Sequence, residues 1–341
     1  MSLPFLPIQN SHTQLIYTNQ DGGLYLERLK KAAPGAALAW RNKLYRAIPP
    51  MQFSKLILDV DRWTGFMSHF THLRTGISPQ GRRKKALLAA IMALGQNLGY
   101  ERMALASEFT AKQLSDIADW HIRDETLLKA MAELDNFVLR HPYSKHWGDG
   151  TKSASDGIRF TADNAPFATY NSRYFGRKRG ITVVTHVADV WMPFSLPVIT
   201  NTSSEALYII DALGHHESDL NIKEHYTDSA SAVYHVFALT ALLGFQFAPS
   251  FRQPAKQWLY CVKDVAINEP LATSFKGTVK NNLITEHWHD IQRLGSSIGY
   301  GVCSAALIMR KLLSYPRQNK LAQALKLDFI QLQIRKVTRY F

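Results

Sequence analysis

The sequence predicts a mixed α+β protein in which a helical domain precedes a core built on a mixed sheet. Three observations carry this expectation. Between residues 54 and 140 apolar side chains recur at helical spacing. From Gly157 onward, short runs rich in Phe, Tyr, Ile, Val and Thr alternate with Gly, Asp and Ser clusters, as strands and their turns do. After residue 200, strand-like and helical runs alternate, which leaves room for a crossover helix between neighbouring strands.

Taken in order, residues 1–50 read as an irregular lead-in. It is broken by Pro4, Pro7, Asp21-Gly22-Gly23 and Pro34-Gly35 and ended by Pro49-Pro50. A helix is expected near Leu24 to Ala32, with Arg28, Lys30 and Lys31 on its solvent side. The helical domain takes residues 51–145. Leu56, Leu58, Val60, Trp63 and Phe66 suit one buried stripe, and Lys84 to Leu98 is rich in Ala, Leu and Met. Ala104 to Trp120 and Asp124 to Leu139 complete a set of about four helices. Arg82, Arg83, Lys84 and Lys85 cluster at a helix start, where the macrodipole disfavours cations. The cluster reads either as a solvated charge run or as a set of contacts to a phosphate backbone.

The core takes residues 146–325. Strands are expected at Gly157 to Ala162, Phe167 to Phe175 and Gly180 to Val187, the last two joined by a basic hairpin turn, Gly176-Arg177-Lys178-Arg179-Gly180. An edge strand within Trp191 to Thr200 is limited by Pro193 and Pro197. Ser203-Ser204-Glu205 caps a helix through Leu213, and Ile222 to Thr227 is the next strand. A helix from Ala230 to Leu243 stops at Gly244, before a short strand, Phe245 to Ala248, ended by Pro249. Strand-strand-strand-helix-strand-helix-strand is the order of a ribonuclease-H-like core. Residues 250–282 read as a polar insertion, Leu283 to Ile298 and Tyr300 to Leu313 as helices, and 326–341 as an aberrant basic tail.

The net charge of +13 over 341 residues points to nucleic acid or an anionic membrane surface. Membrane insertion is disfavoured, since the uncharged run Leu294 to Met309 is 16 residues long and broken by three glycines. The start of the chain lacks the basic and apolar parts of a signal peptide. Two cysteines, Cys261 and Cys303, indicate neither a disulfide framework nor a thiolate metal site. A bacterial cytoplasm with nucleic acid as the partner fits these features.

The stretch His146 to Phe160 carries the densest chemistry. Small residues there let the backbone bend closely around an ion or phosphate, although local composition alone also suits a surface turn. Asp156 stands beside one strand and Asp228 closes another, 72 residues later. Two carboxylates on neighbouring strands are what a divalent-metal phosphoryl-transfer site needs. Asp149 lies in a Gly-flanked turn and is a secondary candidate. Glu286 is a further one, with helix-start stabilisation as its competing role. Arg173, Arg177, Lys178 and Arg179, interleaved with Tyr174 and Phe175, suit phosphate contacts and base stacking, or a solvated hairpin tip.

These blocks also carry a resemblance. Trp147-Gly148-Asp149-Gly150-Thr151, Ser155-Asp156-Gly157 and Arg159-Phe160 resemble the first catalytic block of the Tn-three family of replicative DNA transposases, and Glu224-His225-Tyr226-Thr227-Asp228 resembles its second. Val60-Asp61-Arg62-Trp63-Thr64-Gly65-Phe66, Trp120-His121-Ile122-Arg123-Asp124-Glu125-Thr126, Arg173-Tyr174-Phe175-Gly176 and Ser314-Tyr315-Pro316-Arg317-Gln318-Asn319 extend it over residues 25–325. The resemblance implies a ribonuclease-H-like fold and catalytic Asp156 and Asp228 holding Mg2+ or Mn2+. It also implies cleavage at transposon terminal inverted repeats, joining of 3′ ends to target DNA, self-association in a transposition complex, and a place at the nucleoid. The family's third acid lies in an Asn-Lys-Gly-Glu block that this sequence does not contain, and the family's pattern is lost from Lys326 onward. Where the family carries a glycine and a further acid behind the second Asp, this chain reads Ser229-Ala230-Ser231. The expectation is therefore a truncated catalytic region, inactive alone. A non-catalytic DNA-binding remnant and a metal-dependent nuclease using Glu286 are the alternatives.

Overall fold

The computed structural model describes residues 35–228, 231–250, 281–315 and 319–326, with the backbone of short strands at 16–18, 24–26, 259–262 and 275–279. β1 (Ile16–Thr18) and β2 (Leu24–Leu26) pair antiparallel. The helix expected to begin at Leu24 is thus a strand there, with Leu24–Leu26 in antiparallel register with Ile16–Thr18. α1 (Gly35–Ala47) was not foreseen. It forms on the helix propensity of its alanines and buries no side chain.

α2 (Phe53–Thr64) ends at Gly65, whose φ of 72° is the left-handed cap conformation. α3 (Gly81–Gly95), α4 (Gly99–Leu105) and α5 (Ala111–His121) enclose Ala90, Ala93, Met103 and Leu114. The single helix expected over residues 104–120 is two. Thr110 starts α5 with a reciprocal capping box: its hydroxyl accepts from the Gln113 amide at 3.2 Å, and the Gln113 side chain accepts from the Thr110 amide at 3.1 Å. Asp61 is buried where α2 meets α3. It accepts from the Met67 amide at 3.0 Å and stands 2.5 Å from Lys84 Nζ. α6 (Asp124–Arg140) closes the domain. On it, Asp135 is 1% exposed, neither of its oxygens has a hydrogen-bond partner among the described residues, and burial pushes its carboxyl up to about 7.

The core is one mixed sheet. β3 (Lys152–Thr161) pairs antiparallel with β5 (Arg179–Ala188) and parallel with β8 (Glu224–Thr227), which pairs parallel with β9 (Gln246–Pro249). β4 (Thr169–Tyr170), β6 (Pro193–Ser195) and β7 (Val198–Thr200) all pair with β5. The long strand expected over 167–175 shrinks to β4, because the chain turns at Asn171 into the one-turn helix α7 (Ser172–Phe175). The basic segment therefore follows a helix rather than joining two long strands as a hairpin. The Phe175 ring rests on Gly180, where a Cβ would come within 2.6 Å of it.

Strict alternation along β5 buries Gly180, Thr182, Val184, His186 and Ala188 on one face. Against that face lie α8 (Ile209–Gly214), α9 (Tyr234–Leu242), α11 (Trp288–Gly299) and α12 (Ala305–Ser314), which share a core around Ile210, Val236, Leu239, Ile291 and Met309. The other face is open: Ile158, Phe160, Val198 and Tyr226 are all exposed there. Residues read as a polar insertion contain two short strands, β10 (Leu259–Val262) and β11 (Phe275–Val279), paired parallel. The helix expected from Leu283 is divided at His287 into α10 (Asn281–Glu286) and α11. Residues 327–341, most of the expected basic tail, lie outside the described residues. Among the described residues no helix is long and apolar enough to cross a membrane.

Candidate active site

The register between β3 and β8 decides where the two acids stand. Lys152 is opposite Glu224, Ser153 opposite His225 and Ala154 opposite Tyr226. Every pair is separated by the same 72 residues as Asp156 and Asp228. Counting two residues along from Ala154 and Tyr226 brings the acids level, with Asp228 one residue past the end of β8. Side chains alternate across a sheet, so both share the open face with Ala154 and Tyr226, while Ser153, His225 and Thr227 are buried behind them. Adjacent strands lie about 4.8 Å apart, so this register, continued by two residues, sets the two acids at neighbouring backbone positions. Asp156 sits within β3, which starts earlier than the sequence suggested, and its Oδ1 accepts from the Gly157 amide at 2.9 Å.

Behind the acids the two strands are stapled by His225. Its Nδ1 lies 2.8 Å from Ser153 Oγ and its Nε2 3.0 Å from Ser155 Oγ. A neutral imidazole offers one donor and one acceptor, and each serine hydroxyl can take either role, so a single ring satisfies both. Burial, with His186 stacked at 5.6 Å, pushes the His225 imidazole down to about 3, and burial takes His186 down to about 4. Both rings are therefore neutral near pH 7. His225 thus ties β3 to β8 at the register of Ser153 opposite His225.

Glu205, on the helix side of β3, was missed as anything but a helix cap. Its Oε1 lies 3.1 Å from Arg159 Nη2, and its carboxylate occupies the space a Cβ on Gly157 would need, with Cδ and Oε1 both 2.2 Å from that position. Burial raises its carboxyl above the usual range. Arg159 opposes this, and the charges of Asp156 and Asp228 add to it. The Arg159 guanidinium is also held 4.3 Å from the Tyr174 ring centre. Sequence offers one cue, a glycine directly after an acid on a strand, and that cue does not name the partner.

The remaining expected residues are dispersed. Asp149 accepts from the Thr151 amide at 3.2 Å and hydroxyl at 2.5 Å, and the hydroxyl holds its carboxyl below the usual range. It precedes the start of β3, and Lys152 to Asp156 alone spans about 13 Å at strand rise. Beside it Asp189, unremarked in the sequence, accepts from the Gly150 amide at 2.9 Å and closes the turn. Glu286 has an exposed side chain facing His287 at 4.0 Å. Among the described residues no group of three or more His, Cys, Asp or Glu side chains could hold a metal, so neither Asp149 nor Glu286 joins the pair in such a set. Arg179 spends its guanidinium on the Ala168 carbonyl, at 2.6 and 3.0 Å, and on the Asp163 carbonyl at 3.4 Å. Lys84 is engaged by Asp61. Arg173 lies over Tyr174, while Arg177, Lys178, Arg82, Arg83 and Lys85 are exposed.

Known proteins resemble this chain over most of its length. The model of the Tn3 transposase DDE domain matches residues 55–328. The chain is 43% identical over 309 residues to the transposase for transposon Tn501 of Pseudomonas aeruginosa, covering 90% of this chain and 31% of that protein. It is 42% identical over 308 residues to the transposase for Tn21 of Escherichia coli, and 36% identical over 308 residues to that for Tn1546 of Enterococcus faecium, each with 90% and 31% coverage. The chain thus spans about a third of the length of these relatives. The match runs through the helical domain and both acid-bearing strands, and the chain belongs to the Tn3 transposase DDE domain family.

Proposed function

We propose that this chain is the strand-cleaving and strand-joining region of a DNA transposase, built on a ribonuclease-H-like core. One observation carries the reading: β3 pairs parallel with β8 from Lys152 opposite Glu224 to Ala154 opposite Tyr226, a register that two further residues on either strand extend to Asp156 and Asp228. The sheet order supports the fold reading, with the first long strand antiparallel to the second and parallel to the two that follow crossovers.

The donor set fits a hard divalent ion, since paired carboxylate oxygens on an open face suit Mg2+ or Mn2+. Asp156 and Asp228 would hold it. When bound, such an ion polarises a phosphodiester and activates a water or a 3′ hydroxyl for in-line attack. The chain's own residues do the positioning. His225, bonded to Ser153 and Ser155, keeps the two acid-bearing strands in register. Glu205 and Tyr174 hold Arg159 three residues beyond Asp156 along β3, on the helix side of the sheet. The charge of +13, with Arg173, Arg177 and Lys178 near β5, supports DNA as the partner, in the form of transposon ends and target. With no third acid joining the pair among the described residues, the chain alone would bind metal and DNA without completing strand transfer.

The test combines Mn2+ binding, followed by electron paramagnetic resonance, with cleavage of DNA carrying transposon ends. Weak Mn2+ binding lost in both Asp156→Asn and Asp228→Asn, with DNA retained and uncut, is expected. Mn2+ binding indifferent to both substitutions, or robust cleavage abolished by Glu286→Gln, would overturn the assignment.

A further inference from the structure

A second concave site lies in the helical domain, away from both acids in the fold. A cavity of about 360 Å³ opens between α3 and α5, close to the smallest volume usual for a small-molecule site. We propose that it receives a single unpaired nucleobase of DNA, with the adjoining phosphate taken by Arg82 and Arg83. This inference rests on the DNA reading above.

The cavity is lined by flat, π-rich groups. The His72 ring stacks on Trp120 at 4.9 Å with the planes 5° apart, and the Arg82 guanidinium lies 5.6 Å from the Phe109 ring centre. Planar pairs of this kind accept the face of any base, and each stacked base contributes roughly 1–3 kcal/mol. Polar edges come from α5. Gln113, whose Oε1 is held by the Thr110 amide, offers its Nε2 donors, and Asp116 accepts from a base amino group. His121, also in the lining, already uses Nδ1 on the Phe70 carbonyl at 2.8 Å, which fixes the wall rather than competing for the ligand.

Charge selects a nucleotide over an apolar guest. Within the basic cluster, Lys84 is engaged by buried Asp61, whereas no ion pair among the described residues involves Arg82 or Arg83. Both arginines line the cavity, so one phosphate and its base can be engaged together. A paired base within a duplex has no exposed π face to offer, so the site discriminates in favour of an unpaired position.

The experiment uses the full chain and two DNAs carrying 2-aminopurine, one in a three-nucleotide single-stranded overhang and one paired within a blunt duplex. Binding should quench the overhang fluorophore, with about tenfold tighter affinity than for the blunt duplex, from the stacking energy above. Trp120→Ala should abolish that preference while leaving blunt-duplex affinity unchanged, and Trp120→Phe should restore it. Arg82→Ala with Arg83→Ala should lose the preference too, with unaltered thermal melts showing that the variants fold. Equal affinity for both DNAs without quenching overturns the pocket while leaving the DNA reading intact. So does a response to a free deoxynucleotide with none to the overhang. Failure to bind either DNA overturns both readings.

Discussion

Substituting Gly157 by alanine tests whether Glu205 is packed against the helix side of β3. The new Cβ would stand 2.2 Å from Glu205 Cδ and Oε1 and 2.5 Å from Oε2. A normal contact needs more than an ångström extra. Either the carboxylate retreats and gives up its 3.1 Å bond to Arg159, or β3 moves. Overpacking of this kind costs about 1–3 kcal/mol. The Glu205 side chain can swing, and its ion pair is partly exposed, at 34% and 19% for the two side chains, so the lower half of that range applies. Gly157→Ala should therefore destabilise the protein by about 1–2 kcal/mol in urea unfolding. The decisive measurement is the cycle with Glu205→Ala. Once the glutamate is truncated the Cβ has room, so the second substitution should cost almost nothing and the coupling should reach about 1 kcal/mol. Costs that simply add, to within about 0.3 kcal/mol, would refute the packing argument.

Three further outcomes follow from the same structure. Asp135 titrates at about 7 in the fold against 3.8 when unperturbed, so the folded state binds its proton more tightly between these values. Stability should fall by up to about 4 kcal/mol as pH rises through that window, and Asp135→Asn should remove the loss in urea titrations at pH 5 and pH 8. His225 has the opposite sign. Its folded value of about 3 lies below the unperturbed 6.5, so its contribution is whole above pH 6.5 and is lost as pH falls. By pH 5.5 the loss is about 1.4 kcal/mol, and His225→Gln should flatten that acid limb. In filter-binding titrations, log affinity for duplex DNA should fall with log salt, and Arg177→Ala with Lys178→Ala should reduce the slope by up to about 1.8. An unchanged slope would remove these two side chains from the DNA-contacting face.

The placement of the two acids was legible because it depends on local rules. A run with strand character, an acid beside it and a second such run at a matching offset suffice, since strand alternation does the rest. Glu205 was illegible because its role is tertiary. Ser203-Ser204-Glu205 reads as a helix start, and nothing local says that its carboxylate reaches Arg159, 46 residues back. The aromatic composition of 167–175 suggested a strand, but backbone pairing extends only to Thr169 and Tyr170 before Asn171 turns the chain. Arg179 looked like its basic neighbours. Only the fold reveals that the Ala168 and Asp163 carbonyls occupy its N–H groups. The divided helix at 104–120 was within reach of a closer reading, since Thr110 and Gln113 spell a capping box.

The shared offset along β3 and β8 makes the site indifferent to length and intolerant of parity. Loops between the two strands can grow or shrink without the acids registering it, because each carboxylate is reached by the same four steps, from Lys152 to Asp156 and from Glu224 to Asp228. One residue inserted within either run of four is another matter. It rotates that carboxylate through the sheet to the helix side, among His225 and its serines, and leaves the other acid facing solvent alone.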